Sequence, residues 1–300
     1  MTAMNGESSG AREGGGNMKS KKKNSLITKG ILYIILILVV LLFIFPLIWI
    51  VSTSFKSTAE IFNGLYNWLP IQPTLENYAE AVQAYPLGVW MKNSVIVVAL
   101  VIVLSCVFYI LPAYALARIE FKYSGVLVML MVATIMIPKE LSSIMSYKIV
   151  AKLGLLDTYS AVVIPQICDA IGVFLLYQFF RGIPKEYSEV CQLDGGGHFT
   201  ILTKICLPLS GPAISVMVIL TFVSSWNNFF WPLLVTFTDK SMTLPVGLAT
   251  IMTSYSESSA SRQYGLLMAI SILTSIPALA IFIGMQKKFV EAITSTGIKG

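Results

Sequence analysis

Between Lys29 and Lys56 the chain carries no charged residue, and Ile31 to Val51 is almost wholly apolar. A helix rises about 1.5 Å per residue and the hydrocarbon layer of a bilayer is about 30 Å thick, so a span needs about 20 such residues. This run reads as a transmembrane helix at about 31–52, with Pro46 as a source of bending. The pattern recurs. Lys92 and Arg118 enclose 25 uncharged residues, a second span at 93–117. A third lies at 123–142, where only 16 residues separate Lys122 from Lys139. That is about 24 Å of helix, short of the layer, so the span is expected to continue past Lys139 and Glu140 in a protein-lined or interfacial setting. Further spans are expected at 158–180, 213–236 and 263–286. The fold class is therefore all-α, a polytopic membrane protein of six transmembrane helices.

Bulk chemistry agrees. Hydrophobic residues make up 56% of the 300 and charged ones 12%, against about 25% charged in a typical soluble domain. The net charge of +6 does not imply nucleic acid, because the basic residues sit at the ends of apolar runs rather than along an aromatic-bearing stripe. Cys106, Cys168, Cys191 and Cys206 form no CxxC pair and lie in or beside apolar segments, as buried free thiols do. The single histidine, His198, leaves little for a metal site or triad and reads as a surface or packing residue. No GxxxxGK[ST] loop is present, so ATP phosphates are not cradled by this chain.

Residues 1–29 read as a basic leader, disordered over its Gly- and Ser-rich first 17 residues, with Met18 as a second plausible start. The following apolar run is too long for a cleavable signal and lacks a small-residue cleavage site. With the N-terminus inside, fourteen of the 21 Lys and Arg residues fall on the cytoplasmic side and seven outside. That excess puts both termini in the cytoplasm, including a tail at 289–300.

On this topology Ile183 to Pro212 faces the cytoplasm, and it is the longest polar interruption there. Glu186 and Glu189 are three apart and share one face of a short helix. Asp194-Gly195 supplies a turn in which Gly195 takes positive φ. Pro208 and Pro212 then break the next helix before the fifth span. An amphipathic connector lying on lipid is usually rich in Lys and Arg, whereas this loop carries Glu186, Glu189 and Asp194. An acidic, glycine-hinged knob suits a basic protein cleft better.

The order Glu189-Val190-Cys191, Asp194-Gly195, Leu207-Pro208 resembles the EAA coupling loop of bacterial ABC importer permeases. Asn93-Ser94, Ala113-Tyr-Ala-Leu-Ala-Arg118, Gly154-Leu-Leu-Asp-Thr158, Thr243-Leu-Pro-Val-Gly247 and Gly297-Ile-Lys-Gly300 are similar to the carbohydrate (maltose-type) branch. The resemblance covers Leu26 to Gly300. Val190 and Cys191 replace the two usual alanines, and Gly196 replaces the alanine usual after Asp-Gly. The resemblance implies a permease domain at 30–288 in a bacterial inner membrane. Its implied partners are a second homologous permease, two ATP-binding subunits that hold ATP and Mg, an extracytoplasmic solute-binding protein and a carbohydrate. The chain itself would need no cofactor and perform no covalent chemistry. Glu186, Glu189, Asp194, Gly195 and Pro208 would form the coupling surface.

Two groups are candidates for the solute path. Asp169 lies well inside the fourth span with Gln166 three residues earlier, a polar stripe with acceptors for hydroxyls. A helix-packing hydrogen bond or a buried neutral acid explains Asp169 equally well. Trp226, Asn227, Asn228 and Phe230 combine rings that stack on sugar faces with amides that meet hydroxyls; the competing reading is lipid-facing rings and helix-bridging amides. Alternatives for the whole chain are a permease for amino acids, peptides or polyamines, or an ion-coupled carrier with Asp169 as its cation site. An Asp194→Cys variant is expected to react with membrane-impermeant thiol reagents from the cytoplasmic side alone; labelling from outside would invert the topology.

Overall fold

In the computed structural model, residues 14–63, 67–253 and 264–297 are described, and among them there is no β-strand. The segments 1–13 and 298–300, with Arg12 and Lys299, lie outside the described residues. The helix α1 runs over Gly14–Ser54, so it begins inside the segment expected to be an unstructured leader. Its apolar stretch from Lys29 is unburied and rests chiefly on the last helix. The segment that follows forms α2 (Thr58–Asn63) and α3 (Glu76–Ala84), stitched to the end of α1. The Asn77 side chain donates to the carbonyls of Ser54 and Lys56 at 2.8 and 2.9 Å.

The central rod is α4 (Leu87–Arg118). Trp90, Ser94, Val97, Val101, Ser105, Tyr109 and Ala113 are buried and recur at three- and four-residue intervals, a continuous stripe down one side. Small members of that stripe let neighbouring helices approach closely. Then come α5 (Ser124–Ile135), α6 (Lys139–Lys152), α7 (Tyr159–Val163), a 3₁₀ turn at Ile164–Gln166 and α8 (Ala170–Gly182). The loop region contributes α9 (Glu186–Leu193), α10 (His198–Ile201), a π turn at Leu202–Cys206 and α11 (Leu207–Leu209). The chain ends with α12 (Gly211–Trp226), α13 (Phe230–Val235), α14 (Leu244–Thr253) and α15 (Tyr264–Gly297). The stripe of α4 touches three apolar clusters in turn, with Trp90, Phe222 and Leu266 at one end, Val101, Val162 and Trp231 midway, and Tyr109, Leu176 and Met217 at the other.

Among the described residues, three helices are long and apolar enough to cross a membrane: Lys29–Ser54, Leu87–Arg118 and Tyr264–Gly284. Three bent pairs meet the same test together. The third expected span is one of them: α5 stops short and α6 leaves at 100° after Pro138. The fourth bends by 42° between Gln166 and Ala170, so Gln166 and Asp169 do not share one helical face as expected. The helix from His198 to Leu209 meets α12 at 78°, where Pro208 and Pro212 were expected to interrupt it. The fifth expected span, 213–236, is itself broken after Trp226, so Trp226 to Phe230 do not form one helix face. The last helix continues past Lys288 as far as Gly297, into the expected tail.

At the N-terminal end of α4 several short motifs meet in a polar knot. Asn93 donates to the carbonyls of Asp239 and Met242 at 3.1 and 2.8 Å and accepts from the Tyr159 hydroxyl at 2.6 Å. Ser94 accepts the Leu244 N–H at 2.8 Å, and Trp90 donates to Asp239 at 3.0 Å. Asp157, at φ 61°, accepts from the N–H groups of Phe237 and Thr238 and from the hydroxyls of Thr238 and Ser241. Partial burial alone would raise its pKa, but these donors outweigh it and bring the carboxyl down to about 2. A carboxyl depressed on folding stabilises the fold above its ordinary value of 3.8, and that stabilisation fades as pH falls towards 2. Asp157→Ala is therefore expected to lower the melting temperature of the detergent-solubilised protein at pH 7, and the deficit should shrink as the assay pH falls from 4 towards 2.

Candidate coupling site

The Ile183 to Pro212 segment folds as a helix, a tight turn and a second short helix, the elbow expected from its sequence. Gly195 has φ +80°, the left-handed conformation in which a Cβ is strained. Gly196 has no room for a side chain: a Cβ there would sit 2.4 Å from the Cys191 sulfur and 2.8 Å from its carbonyl oxygen. The cysteine and the glycine, both departures from the residues usual in such loops, thus fit one another.

The C-terminal end of α4 grips this elbow. Arg118 donates to the Ile183 carbonyl at 2.7 Å, and the Tyr114 hydroxyl lies 3.3 Å from His198 Nδ1 with the two rings edge to face. Lys185 and Glu120 form an exposed ion pair at 2.9 Å, which holds the Glu120 carboxyl below its usual range. Being fully exposed, that pair guides the loop more than it stabilises the fold. Tyr114 and Arg118 belong to the Ala113-Arg118 motif; their grip on a loop 65 to 84 residues away has no sequence signature.

Glu186, Glu189, Asp194, Gly195 and Pro208 are all exposed. The hydrogen bonds and ion pairs among the described residues leave the three carboxylates without a partner. Apolar side chains stand among them: Leu193 is 87% exposed and Phe199 76%. Glu186, Tyr187, Val190, Cys191, Asp194 and Ile205 line an open hollow of about 550 Å³. Glu186 and Asp194 are thereby brought to one rim, whereas Glu189 and Pro208 lie outside it. The surface offers carboxylates and unburied apolar groups on a rigid mount, which is what a partner bearing cations and an apolar cleft would engage.

Most of the path candidates are engaged in contacts with their own chain. Asp169 caps α8 by accepting the Ile171 N–H at 3.0 Å, and it pairs with Lys139 at 2.7 Å. Gln166 donates to the Val162 carbonyl at 2.8 Å. Trp226 is buried and stacks on Phe222 at 5.7 Å, so its ring faces are taken by core packing. Asn227 donates to the Val223 carbonyl at 3.0 Å, closing the last turn of α12. Asn228 is half-buried beside it and Phe230 is 45% exposed. No group of three His, Cys, Asp or Glu residues suited to a metal ion exists among the described residues.

Comparison with known proteins is consistent with this architecture. Residues 84–295 match the family described as binding-protein-dependent transport system inner membrane component. The arabinooligosaccharides transport system permease protein AraQ of Halalkalibacterium halodurans is 35% identical over 93% of this chain and 100% of its own. The trehalose/maltose transport system permease protein MalG of Thermococcus litoralis is 31% identical over 91% of this chain and 98% of its own. A chain in the crystal structure of a bacterial ABC transporter that imports the acidic polysaccharide alginate has the same fold, with a TM-score of 0.79 at 23% identity over 88% of this chain and 97% of that one. On the length and order of these matches, the chain belongs to the family of binding-protein-dependent transport system inner membrane components.

Proposed function

We propose that the chain is a permease subunit of an ATP-driven importer of sugars or oligosaccharides, crossing the membrane six times as three continuous helices and three bent pairs. The observation that carries the reading is the mounted elbow, whose carboxylates and apolar groups are left unpartnered while its backbone is pinned by Arg118 and Tyr114. The full-length relatives named for arabinooligosaccharide and trehalose/maltose transport support the saccharide class. In this account both termini are cytoplasmic, and 183–212 is the EAA-type coupling loop. A basic cleft of the ATP-binding subunit receives Glu186, Glu189 and Asp194, with Gly195 allowing close approach and Pro208 ending the second arm. ATP and Mg are held by two such subunits, a second homologous permease completes the path, and an extracytoplasmic binding protein delivers solute.

When ATP draws the two motor subunits together, the elbow moves as one piece. Arg118 and Tyr114 sit on α4, so that movement reaches the rod whose other end carries the polar knot. Hydrolysis lets the arrangement relax. Along the path, Gln166, Asp169, Asn227, Asn228 and Phe230 remain candidates for meeting hydroxyls and a sugar face; Trp226 would need to leave its stack to join them. The ion-coupled reading loses its main support, because Asp169 already has a cation beside it in Lys139.

Reconstitution with the partner subunits tests the assignment: arabinotriose, maltose and trehalose are each offered with a binding protein, and saccharide-stimulated ATPase activity is expected. Uptake driven by an ion gradient without those subunits would overturn it. Glu189→Lys is expected to leave the protein in the membrane but to separate ATP hydrolysis from uptake; unchanged uptake removes Glu189 from the coupling surface. Gly196→Ala is expected to reduce coupled uptake, and Cys191→Ala in the same chain to restore only part of it, because the sulfur contact is removed while the Cys191 carbonyl still crowds the new methyl group.

A further inference from the structure

The Lys139–Asp169 pair joins two broken helices at their breaks. Lys139 opens α6 directly after the 100° bend, and Asp169 caps α8 directly after the 42° bend. Both points lie at similar depth. The 12 residues of α5 rise about 18 Å from the inner side, and the 13 residues of α8 descend about 20 Å to Gly182. These two helices pack together. In a layer about 30 Å thick, the pair therefore sits inside the apolar region rather than at its inner edge.

At that depth the Lys139 side chain is 66% exposed and Asp169 22%. An ammonium so exposed is strongly disfavoured against lipid chains, and non-helical backbone at membrane depth is tolerated where it is covered by protein or lines water. Asp169 takes one ammonium N–H, leaving two directed into the open space. Glu140, also exposed, adds a negative charge alongside.

We propose that Lys139 and Asp169 line the solute path as a mutually neutralised pair, and that this pair turns the path towards neutral, hydroxyl-bearing solutes and against anionic ones. The inference rests on the importer reading. A hydroxyl accepts from the spare N–H groups without disturbing the pair. An anionic group must compete with Asp169 for the same ammonium.

Cys168, exposed and next to Asp169, is a native reporter. In the assembled transporter its modification by the anionic sulfonatoethyl and the cationic trimethylammonioethyl methanethiosulfonates is followed by mass spectrometry of the peptide. Both impermeant reagents are expected to reach it. The anionic-to-cationic rate ratio should rise roughly tenfold in Asp169→Asn and fall by a similar factor in Lys139→Gln, each relative to the parent. Asparagine retains the helix cap, and the exposed Lys139 leaves no cavity, so both variants should fold. The double variant should return the ratio towards that of the parent. Cys168 labelled by a lipid-soluble maleimide but by neither impermeant reagent would overturn the path assignment already in the parent protein. Equal ratios in parent and single variants would overturn the charge assignment. ATP-driven uptake of arabinotriose in the same proteoliposomes separates these failures from failure of the importer reading.

Discussion

A bilayer interior offers a peptide group nothing to bond with, so each interruption of a helix at membrane depth must be satisfied by the protein itself. That requirement organises this chain. Where α8 restarts, Asp169 accepts the Ile171 N–H. Where the chain turns between α13 and α14, Asp157 gathers the N–H groups of Phe237 and Thr238, and Ser94 takes that of Leu244. Asn93 supplies donors to two carbonyls of the same turn. The polar residues that seem scattered among apolar runs are largely those that complete broken backbone.

The second organising element is α4. Its buried stripe passes through the three apolar clusters, its N-terminal end enters the polar knot, and its C-terminal end holds the elbow through Tyr114 and Arg118. The 26 residues from Asn93 to Arg118 correspond to about 39 Å of helix. A packed rod of that length transmits displacement because interiors at solid-like density deform little. The knot and the elbow are thus two ends of one mechanical member.

The elbow shows how local departures can be compensated. Cys191 and Gly196 look in sequence like two separate deviations, and in three dimensions they touch: the sulfur and the carbonyl of Cys191 fill the space a side chain at 196 would need. The Lys139–Asp169 pair has a similar character: each residue looks costly in an apolar run, and together they offset much of the penalty.

Charge-free runs of sufficient length dictated the helical class and the three long apolar helices, because a bilayer-length helix needs about 20 apolar residues. The elbow was legible too, since Gly195 and the prolines act on their own backbone. The tertiary structure alone decided which residues meet. Asp169 is a lone acid in sequence, and its lysine lies 30 residues away on another broken helix. Trp231 reads as one more ring of an aromatic run, yet its indole N–H reaches the Ala161 carbonyl 70 residues away. Asn93 and Asp239 are 146 residues apart, and no local pattern announces their bond. Period and length are properties of a segment, whereas pairing, stacking and grip depend on how separate segments pack.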